Sequence, residues 1–187
     1  MQTMARPRTS GTRERIQATA LELFTKQGVQ NTSLRQIAEH LGLTKPALYY
    51  HFSSREELVV SLVQPLIDDV EALLADDEHH DRTPDPRALL GRYFDVSYRH
   101  RAVMTFLLRD LGALSETGLV ERIVNWRRRL VALLAGPEAD VSAQARAIVA
   151  LGGLGDCLVL LGDTDVETLR TAALDAACAA LGPLATR

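Results

Sequence analysis

The sequence predicts an all-α protein: a three-helix head carrying a helix-turn-helix, joined to a larger helical body, about nine helices in all. Three observations predict it. Apolar residues recur with a helical period through most of the 187-residue chain. The periodic runs are opened by Ser, Thr or Asp and several are closed by Gly or Pro, the signals that start and stop helices. Residues 41–52, Leu-Gly-Leu-Thr-Lys-Pro-Ala-Leu-Tyr-Tyr-His-Phe, read as a tight turn followed by a very short helix.

Taken in order, residues 1–11 are polar and read as a disordered arm, whose Arg6 and Arg8 are either solvated or reach toward a phosphate or minor groove. Residues 12–27 form the first helix: Ile16, Ala20, Leu23, Phe24 and Gln27 keep the 3.6 period, and Gly28 ends it. Phe24 is read as core, and Arg13 and Arg15 either approach the DNA backbone or are solvated charge. Ser33 and Gln36 make a capping box for a second helix bearing Leu34, Ile37, Ala38 and Leu41. Gly42 supplies the positive φ of the turn, Thr44 caps the third helix, and Pro46 fits its first turn. Leu48 and Phe52 share one face and pin this helix down. Lys45, Ala47, Tyr49, Tyr50 and His51 spread over the remaining surface. So short a helix is unstable alone. Held by the helix before it, it forms a helix-turn-helix whose second helix enters the DNA major groove.

At these residues the chain resembles the tetracycline-repressor (TetR) family of bacterial regulators. The resemblance rests on Thr32-Ser33, Ile37-Ala38, Leu41-Gly42-Leu43, Leu48-Tyr49, His51-Phe52 and Arg55-Glu56-Glu57-Leu58. It covers roughly residues 12–60. Lys45 and Ala47 stand where family members vary. Position within the motif and the resemblance together imply the contacts. Thr32 and Ser33 donate to phosphate, Arg35 touches backbone or base, Thr44 belongs to the DNA-binding set, and Lys45 donates to guanine. Ala47 meets a thymine methyl, Tyr49, Tyr50 and His51 make backbone and base contacts, and Arg55 clamps a phosphate.

Residues 54–75 form a long helix, opened by the pairs Ser53/Glu56 and Ser54/Glu57 and striped by Leu58, Leu62, Leu66, Val70, Leu73 and Leu74. Pro65 kinks it, by deleting a hydrogen bond and crowding the preceding turn. Residues 76–86 read as an acidic linker; its His79 and His80 are adjacent rather than helically spaced, so no metal site is assigned. Helices follow at 87–100, 102–111 and 117–135, the last stopped by Gly136-Pro137. The five aromatic residues outside the head, Tyr93, Phe94, Tyr98, Phe106 and Trp126, all fall in this region. Together with Leu62 and Leu66 they are the candidate walls of an effector pocket, because ligand cavities favour aromatic linings; the plain alternative is core.

Residues 141–161 and 166–181 make the last two helices, with Asp165 capping the second. Their Ala- and Gly-rich, many-sided apolar surface calls for more than one partner, which favours a homodimer through residues 141–181 as a twofold four-helix bundle. The resemblance implies the same dimer. Asp156, inside this apolar run, calls for a partner: Arg146, Arg170 or a cavity.

The net charge of −3 conceals an uneven division. Residues 1–52 hold seven Lys/Arg against three Asp/Glu, and the other 135 hold fourteen against twenty-one, so the head is +4 and the body −7. A local basic footprint on an acidic body suits a DNA binder. Cys157 and Cys178 are too few for a disulfide scaffold and read as inert thiols. No signal peptide is legible and Asp156 interrupts the longest apolar run, so the expected setting is the cytoplasm, without membrane. No nucleophile–base arrangement or phosphate-cradling loop suggests an enzyme, and no cofactor is implied. The expected division is a DNA-binding domain at 1–53 and an effector-binding, dimerising domain at 54–187. The expected function is a dimeric repressor on a palindromic double-stranded operator, released by a small molecule of unknown identity. The alternative is a DNA-binding protein without an effector.

Overall fold

The computed structural model describes residues 9–78, 85–115 and 117–182. Among them every regular element is helical: α1 (Thr9–Gln27), α2 (Leu34–His40), α3 (Lys45–His51), α4 (Arg55–Glu78), α5 (Pro86–Arg99), α6 (Arg101–Arg109), a 3-10 turn (Leu111–Leu114), α7 (Leu119–Ala135), α8 (Val141–Leu160) and α9 (Val166–Leu181). The all-α expectation holds, and so do the nine helices with their order. The boundaries shift in three places. Residues 9–11 are helical rather than part of an arm, while Arg6 and Arg8 lie outside the described residues. α4 runs on to Glu78, into the stretch read as linker, and His79 and His80 lie outside the described residues. After α6 the Asp110 carboxylate accepts the Ala113 N–H at 3.1 Å, which turns the chain into a 3-10 segment instead of a longer helix.

The chain divides into two compact units. One holds Met1–Gln64 with Thr105–Leu119; the other holds Pro65–Met104 with Val120–Arg187. The first therefore reaches past the expected boundary at 53/54 and takes in a segment from far downstream.

In the first unit, Ile16, Ala20 and Phe24 of α1 are fully buried with Ile37 and Ala38 of α2, Leu48 and Phe52, and Leu58, Val59 and Val63 of α4. Phe106 of α6 completes this core, its ring 6.1 Å from that of Phe24. Gly28, at φ 84°, ends α1 and lets the chain turn toward α2. Polar bonds then hold that turn from the downstream side: the Val29 N–H donates to Asp110 at 3.2 Å, and Arg109 donates to the Thr25 carbonyl at 3.2 Å.

In the second unit, α8 and α9 form an antiparallel hairpin packed on α5. Its core combines Leu66, Ile67, Val70 and Leu74 with Leu89, Leu90, Tyr93 and Phe94, then Trp126 and Leu130, and the inner faces of α8 and α9. Charged pairs tie the helices at their rims. Arg170 grips Asp95 through two bonds of 2.8 and 3.1 Å, and Arg122 reaches Glu71 at 2.7 Å. His100 meets Asp69 at 2.8 Å, and that hydrogen bond, helped by Arg99, holds the Asp69 carboxyl below its ordinary range. Pro65 stands on the exposed side of α4, where the division between units also falls. α8 is apolar and long enough by those two measures alone to cross a membrane; its inner face is spent on Ala147, Ala150, Leu151, Leu154 and Leu158, buried in the unit.

Candidate nucleic-acid interface

The surface begins with how α2 and α3 are fixed. Ser33 caps α2: its hydroxyl accepts the Gln36 N–H at 3.2 Å, and its own N–H donates to the Gln36 side chain at 2.8 Å. Both halves of the expected capping box are formed. Replacing Ser33 with Ala is expected to cost about 1 kcal/mol of head stability, read as a lower denaturation midpoint. An unchanged midpoint would show that the cap is idle in solution. Gly42 takes φ 65° at the turn, Thr44 caps α3 through the Ala47 N–H at 3.3 Å, and Pro46 occupies the first turn.

α3 is only seven residues long, so its hold matters more than its propensity. Leu48 and Phe52 are completely buried, as expected of structural pins. A third hold escaped the sequence reading. Arg13 of α1 donates to the His51 carbonyl at 2.7 Å and lies 4.1 Å above the Phe52 ring. A guanidinium at the carbonyl end of a helix satisfies a free acceptor and complements the dipole there. The link spans 38 positions, and no local sequence pattern announces it.

With α3 fixed, Lys45, Ala47, Tyr49 and Tyr50 all face outward, and Tyr50 is 80% exposed. His51 is half-buried, edge-on to Tyr50 with ring centroids 5.4 Å apart. Lys45 lies 5.4 Å from the Tyr49 ring. Arg35, on the exposed side of α2, pairs with Glu39 at 2.7 Å, and its side chain stays largely open to solvent. Two residues expected on phosphates are turned inward. Thr32 is buried, and its hydroxyl donates to the Gly28 carbonyl at 2.9 Å, which binds the α1–α2 loop together. Arg55 donates to the Val29 carbonyl at 3.1 Å and to the Gln30 side chain at 3.2 Å, so its guanidinium braces the same loop. Both placements have one physical cause: the loop leaves carbonyls that need donors, and these are the donors within reach.

Known proteins bear on this surface. The family model described as bacterial regulatory proteins, tetR family, matches residues 16–62, which span α1 to the first turns of α4. The HTH-type transcriptional regulator TcmR of Streptomyces glaucescens is 31% identical over 181 residues, covering 86% of this chain and 79% of that protein. This chain belongs to the tetR family. A solved transcriptional regulator from Aquifex aeolicus VF5, described as of the TerR/AcrR family, superposes with a TM-score of 0.68 at 26% identity, over 89% of this chain and 97% of its own. The tetracycline repressor protein class C of Escherichia coli matches over 55 residues at 38% identity, 29% of this chain and 25% of that protein. The relatives are transcriptional regulators rather than enzymes, and the helix-turn-helix described above is this tetR-family member's DNA-binding part.

The seven residues expected around an effector are divided. Leu62 and Phe106 belong to the first unit, where Phe106 packs on Phe24. Leu66, Tyr93, Phe94, Tyr98 and Trp126 belong to the second. There the Tyr93 and Trp126 rings lie 5.8 Å apart, and Phe94 stacks on the half-buried Tyr98 at 6.1 Å. Burial raises the Tyr93 phenol above its ordinary value, against the opposing pull of Arg127, so the group stays a hydrogen-bond donor. The Trp126 indole Nε1 is buried without a hydrogen-bond partner among the described residues, while the buried Ser97 hydroxyl interacts with the Tyr93 phenol and opposes the effect of burial on it. Ser97 had no place in the sequence reading, because a lone serine on an apolar helix face gives no signal.

Proposed function

We propose that this tetR-family regulator binds a palindromic operator as a dimer, represses from it, and is released by a small molecule taken up in the second unit. The observation that carries the DNA-reading part is the outward row Lys45, Ala47, Tyr49 and Tyr50 on a helix pinned by Leu48, Phe52 and Arg13. Ser33 and Arg35 flank that row as backbone contacts, with Thr44 and His51 at the two ends of α3. Lys45→Ala is expected to weaken operator binding by about 1–3 kcal/mol and to relax the preference at one base pair, if the ammonium reads guanine. Gel shifts on promoter fragments with single-base changes measure both. A uniform loss across all sequences would reassign Lys45 to a phosphate.

The dimer is supported by a face that the single chain leaves open. On α8, Val149 is 62% exposed, and Gly153, Asp156 and Leu160 follow it on the same side; on α9, Ala172, Ala176 and Ala179 are exposed at helical spacing. Asp156 was expected to need a buried partner within the chain. It is exposed instead, and Arg170 is taken by Asp95, which favours the subunit interface over a pocket as the setting of Asp156.

The effector is supported by the orphaned Trp126 indole N–H. A buried indole N–H without a partner is costly, and a bound molecule carrying an acceptor removes that cost. The site proposed is therefore Tyr93, Ser97 and Trp126, with Leu66, Phe94 and Tyr98 around them. The ligand shifts the heads only through a difference in affinity between two arrangements. α4, which crosses from one unit to the other at Gln64–Pro65, is the proposed hinge. Trp126 is the single tryptophan of the chain, so its fluorescence reports entry directly. A ligand that changes this emission and also releases the promoter fragment supports the reading. Release by no compound that alters the emission favours a regulator without an effector.

A further inference from the structure

α7 and the first half of α8 enclose an open groove of about 680 Å³. Val131, Pro137 and Ile148 give it an apolar floor, and Gln144 stands at its α8 side. Arg127 and Arg128 line it as well, with no carboxylate among the lining residues. Both arginines are exposed, and neither makes an ion pair among the described residues. Such a groove wants an occupant with an apolar body and a negative charge.

The opposite end of the α8–α9 hairpin has that chemistry. Leu160 is 79% exposed and Leu161 50%, adjacent large apolar residues at the last turn of α8. Asp163 follows in the turn, exposed, with no hydrogen bond or ion pair among the described residues. The two features lie at opposite ends of one hairpin, so they cannot meet within a chain. They meet between two chains related by a twofold axis, since antiparallel packing brings the end of one α8 to the start of the other. Gly152 and Gly153 sit near the middle of α8, and a side chain at either would meet nothing within 4 Å, so their outer side is free for close approach. A crossing centred between them sets Leu160 of the partner subunit against Ala145, next to Gln144 at the edge of the groove.

We infer that in the dimer the α8–α9 turn of each protomer seats in the α7–α8 groove of the other. Leu160 and Leu161 cover the apolar floor, and Asp163 pairs with Arg127 and Arg128. The contact occurs twice, once on each side of the axis. It rests on the dimer proposed above and adds to it a second anchoring point, a register and a charge match.

Two experiments on the full chain test it. The first introduces Ala145→Cys together with Leu160→Cys. Fifteen residues apart on one helix, these positions are about 22 Å from each other within a chain, far beyond the reach of a disulfide. Any bond between them is therefore intermolecular. Mild oxidation is expected to give a covalent dimer with both substitutions and not with either alone. The second reverses charges and measures dimer dissociation by analytical ultracentrifugation at low salt. Asp163→Arg is expected to weaken the dimer roughly tenfold, as is the pair Arg127→Asp and Arg128→Asp. Combining all three should recover most of the loss. A wild-type dimer that neither cross-links nor responds to these charges overturns the seating of the turn and leaves the groove to another occupant. A wild-type chain that stays monomeric overturns the dimer itself, so the two failures are distinct.

Discussion

Phe106→Ala is expected to destabilise the DNA-binding head, although Phe106 lies more than fifty residues beyond the helix-turn-helix. The side chain is fully buried, and its ring lies 6.1 Å from that of Phe24, tilted by 35°, in the core shared with α2 and α3 of the first unit. Truncating a buried phenylalanine removes its transfer energy and leaves a cavity, a loss of about 3–5 kcal/mol. That is a large share of the 5–15 kcal/mol that holds a typical domain together. The loss should appear in the head first. Amide exchange in α1, α2 and α3 should accelerate, and operator affinity should fall with the folded fraction. Leu108→Ala, two residues away at a side chain 54% exposed, should cost far less. If α1 to α3 keep their protection in Phe106→Ala and only residues 65–104 loosen, the place of this ring in the first unit is wrong.

That result would also explain how much of the head was legible in the sequence. The motif from Ser33 to Phe52 was readable because its devices are local. A capping box spans three residues, a glycine turn one, and the pair Leu48 and Phe52 a single helical turn. Each leaves a signature within a short window. What was missed spans long intervals. Arg13 meets His51 across 38 residues, Asp110 meets Val29 across 81, and Arg109 meets Thr25 across 84. Thr32 and Arg55 were given to phosphate because the resemblance favours donors there. The structure gives them to the carbonyls of the α1–α2 loop, which a one-dimensional reading does not expose. The aromatic cluster was legible as composition but not as placement. Phe106 reads like its neighbours in sequence and belongs to a different unit.

Val149→Glu is the second variant with a large expected effect, and it acts without touching the fold of the chain. Val149 is 62% exposed in the single protomer, so replacing it removes no intrachain core. In the proposed dimer it lies on the axis-facing side of α8, where a crossing at Gly152–Gly153 sets it against Asp156 of the partner subunit. The new carboxylate would then lose its water and face a like charge, a combination that costs several kcal/mol at an interface. The variant is expected to sediment as a monomer at concentrations where the wild type is a dimer. Its thermal midpoint should no longer rise with protein concentration, because the linkage between folding and association is gone. Operator affinity should drop by roughly 100-fold or more, since two tethered heads bind as one ligand and two separate heads do not. A Val149→Lys variant separates the two causes. If desolvation dominates, lysine disrupts the dimer as glutamate does; if the Asp156 charge dominates, lysine is tolerated and restores operator binding. A Val149→Glu protein that remains dimeric and keeps its affinity would move the subunit interface off this face of α8 altogether.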